Sequence, residues 1–172
     1  MIYTLLEPTH PLLHTKLPKF IEDIDRKEFT ENMAETMRHY GGIGLSASQV
    51  GFGYRMFIFG DNKHYVPCFN PEILEESNIM VTIEEGCLTY PGLFVKIRRP
   101  DRISVKFEDE IGEEHTDELE GLMCRVFQHE LDHMDGIDFT SRAGKLALDI
   151  AKRKRNKGIR KLKKMHDSKS IN

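Results

Sequence analysis

The sequence has no apolar run long enough to span a membrane, and its first residues carry neither a basic region nor a signal-like apolar stretch. It has only three cysteines, an odd number that does not make a disulfide framework. These absences argue against a membrane protein and against a disulfide-rich secreted domain, and we expect a reducing cytoplasm as the compartment. With 172 residues, 39% of them hydrophobic, the chain suits one globular domain with a substantial core.

Acidic residues are almost missing from the end of the chain. Residues 145–172 contain 11 Lys and Arg against 2 Asp and Glu, whereas residues 1–144 contain 14 against 26. The net charge of −3 therefore hides an acidic body of −12 and a basic tail of +9. We predict a folded domain over residues 1–144 and a basic helix or tail over residues 145–172, with Thr140 or Ser141 as its cap.

The strongest motif reads H-E-x-x-H and runs from His129 to His133. On a helix the two imidazoles lie on one face, about 6 Å apart along the axis, so both can reach one metal ion. Glu130 would then lie beside the open position of the metal. Leu122 and Val126 continue the same apolar stripe, and a buried stripe would not hold two imidazoles without a partner for them.

Two histidines leave the metal site incomplete, since a catalytic metal usually takes three protein ligands and a water. The metalloprotease pattern H-E-x-x-H-x-x-G-x-x-H fails at its last position, which is Phe139, and no Glu follows Glu130. Asp149 and His166 remain possible downstream ligands. Upstream, Cys87 follows a glycine and precedes a Pro-Gly turn, so we expect it near an open surface where a metal could bind its thiolate.

The other two cysteines fit this site less well. Cys68 lies in the sequence Val-Pro-Cys-Phe-Asn-Pro and is more simply a small buried apolar residue. Cys124 precedes His129 by five residues, which places it about 140° around the helix axis. It therefore cannot easily join the same metal site.

The elements predicted around this helix are mostly short strands. An earlier helix has an apolar face from Phe29 to Tyr40 and ends at a Gly-Gly pair. Six strand-like runs follow: Arg55–Phe59, Pro67–Ile73, Ile79–Glu84, Phe94–Ile97, Ile103–Phe107 and His115–Leu119. No helix separates them, which favours antiparallel pairing. We predict an α+β fold of antiparallel β-sheets packed around the central metal-binding helix, with an N-terminal helix and a basic C-terminal helix.

A run of small residues, Gly42–Gln49, precedes the first of these strands. Small side chains allow another chain to approach the backbone closely, and Gln49 ends the run with a side-chain amide that can donate. Taken alone, the run is more simply an ordinary glycine-rich turn.

Three motifs in this order resemble those of the peptide deformylases, which remove the formyl group from new bacterial-type proteins. The family patterns are close to G-φ-G-L-A-A-x-Q, E-G-C-L-S and Q-H-E-x-D-H, and they are matched by Gly42–Gln49, Glu85–Thr89 and Gln128–His133. Ser46 in place of Ala and Thr89 in place of Ser are departures that conserve shape. The likeness covers residues 1–140.

The resemblance implies a metal bound by Cys87, His129 and His133, with water as the fourth ligand. The family uses Fe(II) and tolerates Zn(II), Ni(II) or Co(II), and one thiolate with two imidazoles suits all four ions. The metal would make hydroxide available near neutral pH to attack the formyl carbon, with Glu130 as the general acid and base. The products would be formate and a peptide with a free amine.

The resemblance also implies how the substrate is held. The Gln49 side-chain amide and the Leu88 backbone N–H would stabilise the oxyanion. The peptide would lie as an added strand against the backbone of Ile43, Gly44 and Gly86. An apolar pocket for the first Met would be lined by Ile83, Leu122, Val126 and the stem of Arg125. These four side chains could instead be ordinary core residues.

Partners and location follow from the same resemblance. We expect nascent formyl-Met peptides as substrates, no membrane, and a monomer in the cytoplasm of a bacterium or an infected host. An organelle is possible only if a targeting segment has been removed. The tail is similar in place and charge to a C-terminal helix with which deformylases can dock near the ribosomal exit tunnel, so the ribosome is a further expected partner.

Two other classes of protein remain as alternatives. A zinc endopeptidase could use H-E-x-x-H alone, although Phe139 and the missing downstream Glu argue against it. A non-enzymatic nucleic-acid-binding protein could use the basic tail, although the acidic body would repel phosphate. Metal analysis would distinguish the two enzymes from the binding protein. A comparison of activity on a formylated and an unformylated peptide would then distinguish the two enzymes from each other.

Overall fold

The structure is a computed structural model that describes residues 1–21, 24–61 and 63–169, the last eight of them through their backbone alone. The described residues form helices α1 (Arg26–His39), α2 (Gly121–Met134) and α3 (Lys145–Lys169). The strands are β1 (Gly44–Ser46), β2 (Met56–Gly60), β3 (Tyr65–Glu76), β4 (Met80–Gly86), β5 (Phe94–Pro100), β6 (Arg102–Glu108) and β7 (Glu114–Glu120). Within these ranges no helix combines the length and the apolar character needed to cross a membrane.

The strands pair antiparallel throughout the described residues, as the sequence predicted. One sheet has the order β1-β2-β3-β6-β7, and β4 and β5 form a separate hairpin. Helix α2 packs against β1, β2 and β7 of the larger sheet. With α1 before the strands and α3 after α2, the arrangement confirms the predicted α+β fold.

Helix α1 shows how local sequence fixes an element and its buried face. The Asp25 carboxylate caps its first turn by accepting a backbone hydrogen bond at 2.8 Å. Phe29, Met33 and Met37, spaced four residues apart, are at most 3% exposed and pack beneath the sheet's first strands. Gly41, with φ of 69°, ends the helix in the left-handed conformation that glycine adopts without strain.

Strand β3 extends beyond the predicted run at both ends, and it contains Pro67 and Pro71. Asn70 has φ of 51°, and the register with β6 shifts between Phe69 and Glu72. This bulge leaves Asn70 and Pro71 without registered partners in β6, so the missing N–H of Pro71 costs no bond of that ladder.

Helix α3 begins at Lys145, inside the segment predicted to be a basic helix or tail, but its predicted cap is not used. Thr140 and Ser141 lie in a 3₁₀ turn over Phe139–Arg142 and do not cap α3, so that prediction was wrong. Asp138 caps this turn by accepting a hydrogen bond from the Thr140 N–H at 2.7 Å. Residues 170–172 of the predicted tail lie outside the described residues.

The first half of α3 packs on the folded body. Ala151 is 9% exposed and belongs to a cluster with Leu93, Val95 and Ile97 around β5. The Arg155 Nε atom donates to the Pro91 carbonyl oxygen at 2.8 Å. The basic helix is therefore anchored beside the loop that follows β4.

Candidate active site

The histidine helix α2 runs through the interior of the molecule, so its functional side chains are almost fully covered. His129, Glu130 and His133 are 7%, 4% and 5% exposed. The helix starts at Gly121, whose φ of 61° lets the chain turn sharply out of β7. The stripe of imidazoles predicted from the sequence is therefore buried, as expected for groups with a bound partner.

Cys87 approaches this helix from the loop after β4. Its Sγ atom lies 3.3 Å from Nε2 of His133. The ligand atoms of Cys87, His129 and His133 all lie within 4.8 Å of one another. A tetrahedral ion with bonds of about 2.0–2.3 Å separates its ligand atoms by about 3.3–3.6 Å, so these donors fit one metal ion. The structure thus brings the three predicted ligands together.

The remaining cysteines and the downstream candidates lie elsewhere. Cys68 and Cys124 are 0% and 1% exposed and pack in the apolar core between the sheet and α2. Asp149 lies on α3, and the side chain of His166 lies outside the described residues. Within the part of the chain that the structure describes, neither Asp149 nor the two buried cysteines join the cluster of three.

Glu85 orients one of the imidazoles from behind. Its Oε2 atom lies 3.0 Å from Nδ1 of His129, which leaves Nε2 of that ring for a metal. Burial would raise the pKa of Glu85, but hydrogen bonds from His129, Arg99 and Arg125 hold it well below its usual range. The carboxylate is therefore ionised and fixes the tautomer and direction of the ligand ring.

A buried network of charges holds Glu85 in place. Arg99 donates to Glu85 through Nε and Nη2 at 2.7 and 3.0 Å, and to Asp132 through Nη1 at 2.7 Å. Arg125 donates to the same Glu85 at 2.8 Å, and Arg142 donates to Asp132. The orientation of His129 thus depends on side chains from β4, β5 and α2 together.

Glu130 lies beside the ligands and contacts strand β1. Its Oε2 atom accepts a hydrogen bond from the Ser46 hydroxyl at 2.6 Å. Burial raises the pKa of Glu130, and the nearby His129 and the Ser46 hydroxyl offset only part of the increase. A buried carboxyl with a raised pKa is suited to exchange protons with a substrate.

Gln49 is held with its amide nitrogen toward the Cys87 loop. Its Nε2 atom donates to Thr89 Oγ1 at 3.0 Å and approaches Cys87 Sγ at 3.4 Å. Its Oε1 atom accepts from the Ser46 backbone N–H at 2.9 Å, which fixes the orientation of the amide. The side chain is 1% exposed, so a donor is aimed at the metal cluster with little freedom to turn away.

A cavity of about 560 Å³ opens above the cluster. The predicted residues that line it are Ile43, Gly44, Gln49, Gly86, Cys87, Leu88, Leu122, Arg125, Val126, His129 and Glu130. Ile83 is 39% exposed on β4 and is not among the described residues that line this cavity. The structure therefore gathers most of the predicted substrate-binding residues at one opening and leaves Ile83 outside it.

Two glycines in the cavity wall lie close to neighbouring side chains. A Cβ atom on Gly44 would lie 2.3 Å from Oε1 of Glu130 and 2.8 Å from Val126. A Cβ atom on Gly86 would lie 2.6 Å from the ring of Phe94, its partner across the β4–β5 hairpin. Both glycines thus make room for another side chain at the edge of the cavity.

A second group of possible ligands lies on the exposed turn between β6 and β7. It consists of Asp109, Glu113 and His115. Asp109 Oδ1 already accepts from the backbone N–H groups of Ile111 and Glu113, both at 2.9 Å, and Oδ2 lies 2.7 Å from His115. These contacts show that Asp109 stabilises a tight turn, which accounts for the proximity of the three side chains.

The residues that support the three predicted ligands were not predicted from the sequence. Ser46 was read only as a replacement that conserves shape, and Glu85 only as part of a motif. A signal was present for Arg99: on β5 it shares the inward face with Val95 and Ile97, and an arginine on an apolar face needs a buried partner.

Comparison with known proteins agrees with this geometry. A sequence profile described as Polypeptide deformylase matches residues 2–149. A peptide deformylase of Thermotoga maritima is 47% identical over 119 residues, which cover 69% of this chain and 71% of the relative. A peptide deformylase of Agrobacterium fabrum is 36% identical over 149 residues, which cover 83% of this chain and 88% of that protein.

Solved structures show the same similarity in three dimensions. The crystal structure of peptide deformylase from Thermotoga maritima superposes with a TM-score of 0.80 at 39% identity, covering 84% of this chain and 99% of that chain. A peptide deformylase from Synechococcus elongatus in complex with actinonin superposes with a TM-score of 0.83 at 29% identity, covering 90% of this chain and 86% of the other.

Proposed function

This chain belongs to the polypeptide deformylase family, and we propose that it hydrolyses the N-formyl group of formyl-Met peptides with a metal ion held by Cys87, His129 and His133. The observation that carries the proposal is the position of these three donors, side by side with Glu130 beneath the 560 Å³ cavity. The cavity gives a peptide terminus access to groups that are otherwise buried. The role is the maturation of newly made proteins, with release of formate.

The donors fit a first-row transition metal. The structure places one thiol sulfur and two imidazoles within 4.8 Å of each other, and Glu85 supports one of the rings. We assign Fe(II) from the family resemblance, and Zn(II), Ni(II) or Co(II) suit the same donors. When bound, the metal supplies a Lewis acid that makes hydroxide available near neutral pH.

Glu130 is the proposed general acid and base. Its carboxylate lines the cavity at the level of the metal ligands, where the formyl carbon would lie. It accepts the proton of the attacking water and delivers it to the amine nitrogen as the bond between the formyl carbon and that nitrogen breaks. The products are formate and a peptide with a free amine.

Gln49 and Leu88 are the proposed donors to the oxyanion. The Gln49 amide is fixed at both ends, with Oε1 on the Ser46 N–H and Nε2 toward Cys87. Leu88 directly follows Cys87 and lines the same cavity, which supports its backbone N–H as the second donor. A donor that is already oriented stabilises developing charge without reorganisation.

The peptide would bind along the cavity wall as an added strand against Ile43, Gly44 and Gly86. Backbone hydrogen bonds of this kind are indifferent to side-chain identity, which suits an enzyme that processes many proteins. The side chain of the first Met would contact Leu122, Val126 and the stem of Arg125. The Arg125 guanidinium is engaged by Glu85 and two backbone carbonyls, so its stem is the part left for the substrate.

Two substitutions test these roles. Cys87→Ala should lose most of its bound metal, whereas Cys124→Ala, which changes a thiol outside the cluster, should keep it. Glu130→Ala should keep about one metal per chain while turnover of a formyl-Met tripeptide falls by roughly 10²–10⁴-fold. Full metal occupancy in Cys87→Ala, or near-normal turnover in metal-loaded Glu130→Ala, would overturn the corresponding assignment.

The division into a catalytic domain over residues 1–144 and a basic segment over residues 145–172 supports a second role for the tail. We infer that α3 binds the ribosome, whose RNA surface attracts its Lys and Arg side chains while the acidic body stays away. We also expect a monomer in the cytoplasm. Anchoring through Ala151 would hold the basic face at a fixed position relative to the cavity.

A charge-neutralised variant tests the tail without removing its anchor. Exposed tail residues are replaced by Gln in Lys152→Gln, Arg153→Gln, Lys154→Gln and Lys157→Gln, which keeps Ala151 and Arg155. Co-sedimentation with ribosomes should be lost, and hydrolysis of a free tripeptide should stay nearly unchanged. The matched control replaces the exposed body residues Lys16, Lys19, Lys27 and Lys63 by Gln. If the tail variant co-sediments with ribosomes as well as the control variant and the wild type do, the tail does not bind ribosomes.

A further inference from the structure

Strand β1 holds the two oxygens of the Glu130 carboxylate in different ways. Gly44 and Ser46 are two residues apart on a strand that packs against α2, so they share one face of that strand. The Ser46 hydroxyl lies 2.6 Å from Oε2 of Glu130 and 3.3 Å from the Glu130 backbone oxygen. Oε1 lies against the bare Cα of Gly44, where a Cβ atom would be 2.3 Å away.

We propose that Ser46 is a positioning residue for Glu130, which holds Oε2 so that Oε1 is the oxygen that exchanges the proton with the substrate. Ser46 is 0% exposed and Glu130 is 4% exposed, so water does not replace this contact freely. Among the described residues, no other side chain donates a hydrogen bond to this carboxylate. The inference rests on the acid and base role proposed above for Glu130.

The effect of the hydroxyl follows from the freedom of a carboxylate. The last torsion of a Glu side chain is broad and roughly two-fold, so packing alone fixes it poorly. The hydrogen bond from Ser46 selects one rotation, and Gly44 leaves space for the other oxygen at the cavity wall. Proton transfer needs donor and acceptor within hydrogen-bond reach, so loss of this selection should slow the chemical step more than it weakens peptide binding.

Ser46→Ala removes one oxygen and leaves the other contacts of this residue in place. The Ser46 backbone N–H still donates to Gln49 Oε1, so the proposed oxyanion donor keeps its orientation. Ser48→Ala is a matched control in the same run. Ser48 is also 0% exposed, and its hydroxyl has no hydrogen-bond partner among the described residues. The control therefore removes the same atom from the same segment without touching Glu130.

The first experiment measures kcat and KM for a formyl-Met tripeptide with metal-loaded wild type, Ser46→Ala and Ser48→Ala. Because the family pattern has Ala at this position, the loss should be partial: we expect kcat of Ser46→Ala to fall by roughly 5- to 10-fold, with KM and metal content nearly unchanged. Ser48→Ala should match the wild type. A kcat of Ser46→Ala within about twofold of the wild type would overturn the proposal.

A double-mutant cycle separates positioning from a general structural role. If Ser46 acts through the Glu130 carboxylate, Ser46→Ala should cause no further loss of turnover in a Glu130→Ala background. If Ser46→Ala lowers turnover in the Glu130→Ala background by the same factor as in the wild type, the inference is refuted. If Glu130→Ala alone keeps near-normal turnover, the proposed function fails at that point, independently of Ser46.

A crystal structure of metal-loaded Ser46→Ala gives a readout that does not depend on activity. The Glu130 carboxylate should be rotated or should occupy more than one orientation, while α2 and β1 keep their positions. An unchanged, single carboxylate orientation would contradict the positioning role.

Discussion

Replacing Arg99 by Met tests the buried charge network behind the proposed metal ligands. Arg99 is 4% exposed and donates three hydrogen bonds, at 2.7 and 3.0 Å to Glu85 and at 2.7 Å to Asp132. Methionine can fill part of the space of the arginine stem but leaves both carboxylates without their shared partner. The variant therefore tests charge and hydrogen bonding more than packing.

The size of the effect can be worked from these contacts. Removing one partner of a buried ion pair typically costs about 3–5 kcal/mol in unfolding free energy. Arg125 still donates to Glu85, and Arg142 still donates to Asp132, so we expect the lower end of that range. A loss of about 3 kcal/mol corresponds to a fall in Tm of roughly 6–12 °C for a chain of this length.

The same variant should weaken metal binding, because Glu85 orients His129. Loss of such support typically lowers metal affinity by roughly 10- to 100-fold. Urea unfolding of the metal-free protein measures the stability term without a contribution from bound metal, and competition with a chelator measures the affinity.

Arg98→Met is the matched control, because Arg98 precedes Arg99 on β5 and points outward. A surface change of this kind should stay within about 0.5 kcal/mol of the wild type. Equal urea midpoints and equal metal affinities for the two variants would refute the account of the network.

Two further predictions concern thiol reactivity and acid stability. Removal of the metal should make one thiol, Cys87, reactive toward an aqueous thiol reagent. Cys68 and Cys124 should react only on unfolding, because burial raises the pKa of each and covers both; two reactive thiols in the folded, metal-free protein would contradict this. Burial would raise the pKa of Glu108, but hydrogen bonds from the Asn70 side-chain amide and from Arg26 lower this pKa on balance. A lowered pKa stabilises the fold above the unfolded value of about 4.3, and this stabilisation is lost as the pH falls through the folded value. When the pH is lowered from about 5 to about 3, the free energy of unfolding measured with urea should therefore fall less for Glu108→Gln than for the wild type. An equal fall in both proteins would argue against a lowered pKa of Glu108.

Strands such as β5 and β6 were predictable because each is short, alternates between buried and more exposed residues, and is bounded by turn residues. The last strand was predicted over His115–Leu119 and is observed over Glu114–Glu120. Strand β1 was missed, since three residues carry no usable period and its pairing with β2, such as Gly44 with Phe59, is a tertiary fact. Its recognition matters, because β1 carries the residues that contact Glu130.

The proposed metal donors could be named from the sequence because spacing on a helix places His129 and His133 together, and the family resemblance supplied Cys87. The supporting shell was not predictable in the same way. The contacts of Ser46 with Glu130 and of Arg99 with Asp132 join residues 84 and 33 positions apart in the chain. A local pattern can indicate that Arg99 needs a buried partner, but it does not identify the partner, so the folded arrangement is needed to reveal these contacts.

The most direct test of the central claim is the release of formate from a formyl-Met tripeptide by freshly purified, metal-loaded protein. The account predicts one formate for each free amine, no cleavage of internal peptide bonds, and no reaction of the unformylated tripeptide. Absence of formate, or cleavage of peptide bonds in the unformylated substrate, would contradict it and would favour the endopeptidase alternative.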